Sequence, residues 1–231
     1  MKKIIISKDG PYIVSGKIPL AKEIAVGNIN RGPEEWVRKE ELKVPEKYLL
    51  CRCGQSGHKP FCDSTHLKVG FDGTEDGKNN TEVDHKEVVF GPELDLIDQP
   101  ELCSGTRFCH FGRSTWTDVR HSDNPESKEN AVRSACNCPS GRLVLVDKKT
   151  RQMIEPELEQ SIGITEDPEA GVSGPLWVKG GVQIESADGS VYEKRNRVTL
   201  CRCGKSGIMP FCDATHMRTG FKDGDESLKK E

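Results

Sequence analysis

No run of this sequence is apolar over the roughly 18 residues that a membrane span needs. The start, Met1-Lys2-Lys3-Ile4-Ile5-Ile6, is basic, but its three-residue apolar run falls short of the ~7–15 residues of a secretory leader. The sequence therefore predicts a cytoplasmic chain without a membrane partner. Aromatic residues are scarce at 6 %, and apolar residues reach only 34 %, which argues against one thick core and for small modules held by metals or disulfides. An excess of one charge is also lacking. The net charge of −3 points away from nucleic acid or an anionic membrane surface. No nucleophile–base pair or substrate motif stands out, so no enzyme is predicted.

Cysteine, by contrast, is plentiful, with ten residues in 231. In a reducing compartment, clustered cysteines favour metal binding over disulfides. They also fall in a repeat. Residues 51–66 read CRCGQSGHKPFCDSTH and residues 201–216 read CRCGKSGIMPFCDATH, identical at twelve of sixteen positions. The likeness extends to Gly70-Phe71 and Gly220-Phe221, and upstream from Gly10-Pro11-Tyr12 to Gly174-Pro175-Leu176. The repeated unit is thus a whole module.

Short apolar stretches precede each cysteine group. Pro11–Leu20, Ile24–Ile29 and Lys47–Leu50 read as strands, as do Leu176–Ile184 and Val191–Leu200. Asp63 and Gly70 bracket a short helix carrying His66, and Asp213 and Gly220 bracket its twin around His216. Gly73–Glu82 reads as a polar linker and Asp223–Glu231 as a tail. The expected organisation is modules at 1–76 and 172–231 around a middle unit at 84–150. The fold class is α+β: two small β-rich modules with short metal-binding helices, and an α+β middle unit.

The repeated spacing is Cys51-x-Cys53-x8-Cys62-x3-His66, and Cys201-x-Cys203-x8-Cys212-x3-His216. Three thiolates and an imidazole suit zinc or an iron–sulfur core. Cys-x-Cys is tighter than the usual Cys-x2–4-Cys zinc knuckle. These residues resemble the CDGSH iron–sulfur domain of mitoNEET-type proteins, through Cys-Arg-Cys-Gly-x-Ser, Pro-Phe-Cys-Asp and Thr-His in each copy. The resemblance implies a 2Fe–2S cluster per module. Cys51 with Cys53, and Cys201 with Cys203, would hold the inner irons; Cys62 with His66, and Cys212 with His216, the outer ones. It also implies that the two modules pair, here as a pseudo-dimer within one chain. Where the family has glycine after Cys-Asp, this chain has Ser64 and Ala214. Both are small, and the sites are expected to survive. A neutral imidazole in place of a thiolate raises the reduction potential, and its proton affinity makes the outer iron acid-labile.

The middle segment holds Cys103, Cys109, Cys136 and Cys138. Cys103-Ser-Gly-Thr106-Arg-Phe-Cys109 keeps the outer positions of a bacterial ferredoxin run, with Thr106 at the middle one. Cys138-Pro139 is similar to that motif's closing Cys-Pro. The segment resembles the divergent single-cluster ferredoxin-like domain found beside CDGSH modules. Cys103, Cys109 and Cys138 suit a 3Fe–4S cluster, and Cys136 as a further ligand would suit 4Fe–4S. A helix over Pro125–Ala135 and a strand at Val144–Val146 are expected. His58, His85, His110 and His121, the three tryptophans, and Arg107 and Arg142 are given no assigned role.

The expected function is electron transfer by an iron–sulfur protein to a redox partner. The alternatives are cluster donation to an apo-acceptor protein, redox sensing, or a structural zinc scaffold.

Overall fold

A computed structural model describes residues 1–28, 32–77 and 86–229. The end of the Ile24–Ile29 strand and half of the Gly73–Glu82 linker, with His85, lie outside these residues. The strands are β1 (Lys3–Ile6), β2 (Tyr12–Ser15), β3 (Leu20–Asn28), β4 (Gly32–Leu42), β5 (Lys47–Leu50), β6 (Glu87–Phe90), β7 (Leu94–Asp98), β8 (Leu143–Asp147), β9 (Met153–Ile154), β10 (Ser161–Asp167), β11 (Val172–Lys179), β12 (Gln183–Glu185) and β13 (Arg197–Leu200). The helices are α1 (Thr65–Lys68), α2 (Thr115–Arg120), α3 (Pro125–Asn137) and α4 (Thr215–Thr219).

Three sheets form, in the orders β12-β1-β2-β5, β13-β11-β10-β3-β4 and β6-β7-β8-β9. The first two are completed from the other repeat, the first by one strand and the second by two. β12 joins β1 in parallel, with Ile4 opposite Ile184, and β3 joins β10 in parallel, with Ile162 beside Leu20. Their inner faces share one core that includes Ile4, Ile6, Val14 and Leu50 from the first repeat and Ile162, Ile164, Val178 and Leu200 from the second. Burying such side chains contributes about 1.5–3 kcal/mol each. This common core joins the repeats into one body.

The sheets differ on their outer faces. β1, β2 and β5 alternate in burial, the pattern of a sheet with one covered side. β10, β11 and β13 are buried at every position. The middle unit and β4 supply that cover. Trp36 of β4 lies between Phe108 and Trp177, with ring centroids 4.7 and 5.3 Å away, and its Nε1 donates to the Asn137 carbonyl at 2.9 Å.

The middle unit packs α2 and α3 on its own sheet through Leu94, Leu96, Val119, Ala131, Ala135, Leu143 and Leu145. Helix α3 starts at Pro125 under an Asn124 cap, whose Oδ1 accepts from the Ser127 amide at 3.1 Å, and it runs two residues past the expected Ala135. The expected Pro11–Leu20 strand divides at Gly16, where φ is +88°. Only Arg197–Leu200 of the expected Val191–Leu200 strand forms one, and the second repeat's sheet begins at Ser161, before the expected boundary at 172.

Candidate metal centres

Each cysteine–histidine set is built on one sheet edge and one short helix. Strand β5 delivers Cys51, and the Phe61–Leu50 bridge turns Cys62 back toward it. The second repeat repeats this with β13, Cys201 and the Phe211–Leu200 bridge. Cys51 and Cys53 have sulfurs 3.8 Å apart, and Cys201 and Cys203 3.6 Å. Two thiolates on one tetrahedral metal, at about 2.3 Å each, stand about 3.8 Å apart. Cys62 Sγ lies 3.4 Å from His66 Nδ1, and Cys212 Sγ 3.4 Å from His216 Nδ1. A thiolate and an imidazole on one metal stand about 3.5 Å apart. Each set is thus two donor pairs, each at the spacing of a single metal. Among the described residues no three such donors gather around one ion.

The loops supply electrostatics suited to an anionic group. Backbone N–H groups of Gly204, Lys205 and Ser206 bear on Cys201. Cys201 and Cys203 share a hydrogen bond in which either sulfur can donate, and it favours the thiolate at one of the two while holding the proton on the other. Burial, followed by the charge of Cys201, raises Cys212. Metal loading must displace these protons. Asp63 does not cap α1 as expected. It sits one residue earlier and braces the loop, accepting from Gly57 N at 2.8 Å and Thr65 N at 3.0 Å. Asp213 does the same with Gly207 and Thr215. The caps are Ser64 and Ala214, both left-handed at φ of 69° and 65°. A glycine there carries less strain, which gives a physical reason for the glycine of the resembling family.

The two loops meet back to back. Gly54 lies on Cys203 and Gly204 on Cys53, each so close that a Cβ would overlap the other loop's carbonyl. Between the paired cysteines sit Arg52 and Arg202, both buried.

The two sites differ in cover. His216 is 3 % exposed, and Cys212 is buried with it. His66 and Cys62 are only partly covered, and Leu67 and Val69 beside them stand 75 % and 52 % exposed. The cover over the second site is the Cys103–Cys109 loop. A Cβ on Gly105 would lie 2.7 Å from Ala214 Cβ and 3.1 Å from Met217 Cγ. Arg107 ties the loop down through Asp167, with Nη2 at 2.8 Å from both carboxylate oxygens.

In the middle unit, Cys103, Cys109 and Cys138 line one small cavity with Ser104, Thr106, Ser140 and Arg142. Burial, then the charges of Cys138 and Cys103, pushes the Cys109 thiol up to about 12. Ser104 Oγ is buried there with no hydrogen-bond partner among the described residues, and Ser140 Oγ lies 3.5 Å from Cys138 Sγ. Arg142, forked onto Asp98 at 2.6 and 2.9 Å, adds positive charge beside Cys103. Three thiolates, an orphaned hydroxyl and a held cation fit an anionic cluster. Cys136 does not line this cavity. It lies on α3, where Arg197 and Glu155 are its charged neighbours, because one residue of helix and the Cys138 cap separate its direction from that of Cys138. Three contributors carry no local signal in the sequence: Arg107 and Arg142 as clamps, and Gly105 as the contact to the second site. Their partners lie 44 or more residues away, beyond any local pattern.

Residues 9–67 and 173–217 match the family model described as iron-binding zinc finger, CDGSH type. Residues 89–148 match the one described as divergent 4Fe-4S mono-cluster. No curated protein and no solved structure matches the chain. Among the described residues no helix is long and apolar enough to cross a membrane. The matched families are electron-transfer and cofactor-binding modules rather than catalytic ones. Repeat, spacing and family matches agree: the chain is an iron–sulfur protein with two CDGSH-type modules on either side of a divergent 4Fe–4S mono-cluster domain.

Proposed function

We propose that this chain is an electron relay with two 2Fe–2S clusters, on Cys51, Cys53, Cys62 and His66 and on Cys201, Cys203, Cys212 and His216, and a third cluster on Cys103, Cys109 and Cys138. The two modules act as an intrachain pseudo-dimer. The middle cluster is a cubane type on three thiolates, 3Fe–4S if its fourth corner is empty and 4Fe–4S if a non-cysteine ligand closes it. Bound clusters would supply one-electron redox chemistry. The protein's residues hold them in low-dielectric pockets, donate hydrogen bonds to their sulfurs and set their distance from solvent.

The observation carrying this reading is the contact of the Cys103–Cys109 loop with Ala214 and Met217. It brings the middle cavity against the second Cys3His site and leaves His66 as the more accessible end. Electrons would pass between the middle and second sites inside the protein and meet a redox partner at the first. Iron and acid-labile sulfide per chain test this directly. Seven or eight irons support three clusters, about four irons would leave the middle site out, and about two zinc without sulfide would defeat the reading.

Cluster donation is the second reading, favoured by the partial exposure of His66 alone. It requires transfer to an apo-ferredoxin that His66→Cys abolishes and His216→Cys spares.

A further inference from the structure

Arg52 and Arg202 occupy equivalent places and make equivalent backbone bonds. Arg52 Nε donates to Gly10 O at 2.8 Å and Nη2 to Ser7 O at 3.0 Å. Arg202 Nε donates to Gly174 O at 2.7 Å and Nη2 to Thr165 O at 2.8 Å. Their charges are treated differently. Arg202 pairs with Glu166 at 2.5 Å and also with Asp223. Burial opposes ionisation of Asp223, but the guanidinium holds its carboxyl below the usual range.

In the first repeat both acidic positions are lost. Lys8 follows Ser7 where Glu166 follows Thr165, and Gly73 stands two residues after Phe71 where Asp223 stands two after Phe221. Gly73 lies so close to Arg52 that a side chain there would overlap the guanidinium. Arg52 rests instead on the rings of Tyr12 and Phe71, at 5.9 and 5.2 Å. Its Nη1 is buried without a hydrogen-bond partner among the described residues; Asp9 approaches from the same loop, but its Oδ1 accepts from the Gly73 amide at 2.9 Å and it forms no hydrogen bond with Arg52 Nη1.

Reduction adds one negative charge to an iron–sulfur site. A nearby uncompensated cation favours the reduced form, and so does contact with water. Both act at the first site. At the second, two carboxylates offset the arginine, and His216 is sealed at 3 % exposure.

We propose that the unequal surroundings of Arg52 and Arg202 order the two Cys3His sites, making the first the stronger electron acceptor. The inference rests on the iron–sulfur relay reading above. With clusters held by Cys51, Cys53, Cys62 and His66 and by Cys201, Cys203, Cys212 and His216, this ordering would direct one electron from the second site, which would be oxidised by one unit, to the first, which would be reduced by one. No proton or further reactant is needed.

The test is a potentiometric titration of the iron-loaded full chain at pH 8, followed by electron paramagnetic resonance. Two 2Fe–2S signals should appear, separated by tenfold or more in reduction equilibrium, about 59 mV for one electron. Lys8→Glu, at an exposed position, should lower the higher potential and leave the lower one in place. Glu166→Gln should raise the lower one alone. Iron content and the visible spectrum check that each variant is loaded. Equal potentials, or a Lys8→Glu change that moves the lower signal or neither, would overturn the ordering while sparing the relay. Loss of all 2Fe–2S signals from loaded wild-type protein would overturn both.

Discussion

Gly54 of the first repeat packs directly on the carbonyl of Cys203 in the second, and Gly204 returns the contact on Cys53. Both glycines have φ of +72°, where a side chain is strained. The two cysteine loops therefore share a wall, and each holds the other's inner sulfurs in place. Gly54→Ala and Gly204→Ala should each destabilise the protein by about 1–3 kcal/mol through overpacking and reduce iron at both Cys3His sites. Thermal melting with iron analysis reads this, and loss of iron at one site alone would argue against a shared wall.

The cover over His216 predicts two rates of iron loss. With an excess of a ferrous chelator after reduction, the first site should bleach well before the second. Arg107→Ala removes the fork onto Asp167 and should speed the slow phase severalfold without changing the fast one. A single bleaching phase in wild-type protein would contradict the difference in access.

The middle cavity gives a clean comparison among its cysteines. Cys103→Ser, Cys109→Ser and Cys138→Ser should each remove the middle cluster's three or four irons. Cys136→Ser should leave total iron unchanged, because Cys136 faces Arg197 and Glu155 instead. Iron counting with the optical spectrum decides.

Glu166 ties stability to pH. Burial pushes its carboxyl up to about 7 against the pull of Arg202. The native state therefore holds a proton that the unfolded chain releases near pH 4.5. The stabilising contribution is full below pH 4.5 and is lost as pH rises toward 7. His216 acts in the opposite direction, since burial, aided by Arg202, holds its imidazole down to about 4. The readable quantity is thus the difference from Glu166→Gln. Between pH 5.5 and 8, denaturant unfolding should show wild type losing stability relative to the variant, by an amount on the order of 2 kcal/mol. A pH-independent difference would exclude this linkage.

The sequence spoke plainly where the chemistry is local. The candidate donors of each Cys3His set fall within sixteen residues, and β5 matches the expected Lys47–Leu50. It was silent on β4, whose Gly-Pro-Glu-Glu-Trp-Val-Arg-Lys-Glu-Glu-Leu has no apolar alternation; its outer charges suit an edge strand. It was equally silent on strand exchange, because β12 is three residues long and pairs with β1 across some 180 positions. Cys136 and Cys138 differ by two places, and only the end of α3 between them decides which faces the cavity.

The exchanged strands also dictate an order of assembly during synthesis. β1 leaves the ribosome long before its neighbour β12, which ends at Glu185. The sheet of β1, β2 and β5 stays unfinished until β12 of the second repeat has been made, whereas the middle unit, with β6 to β9 all between Glu87 and Ile154, can close on its own strands beforehand. The inserted domain is thus the natural first structure, and the flanking halves mature together around it. A truncated product that stops in the second repeat would leave the first without its closing strand.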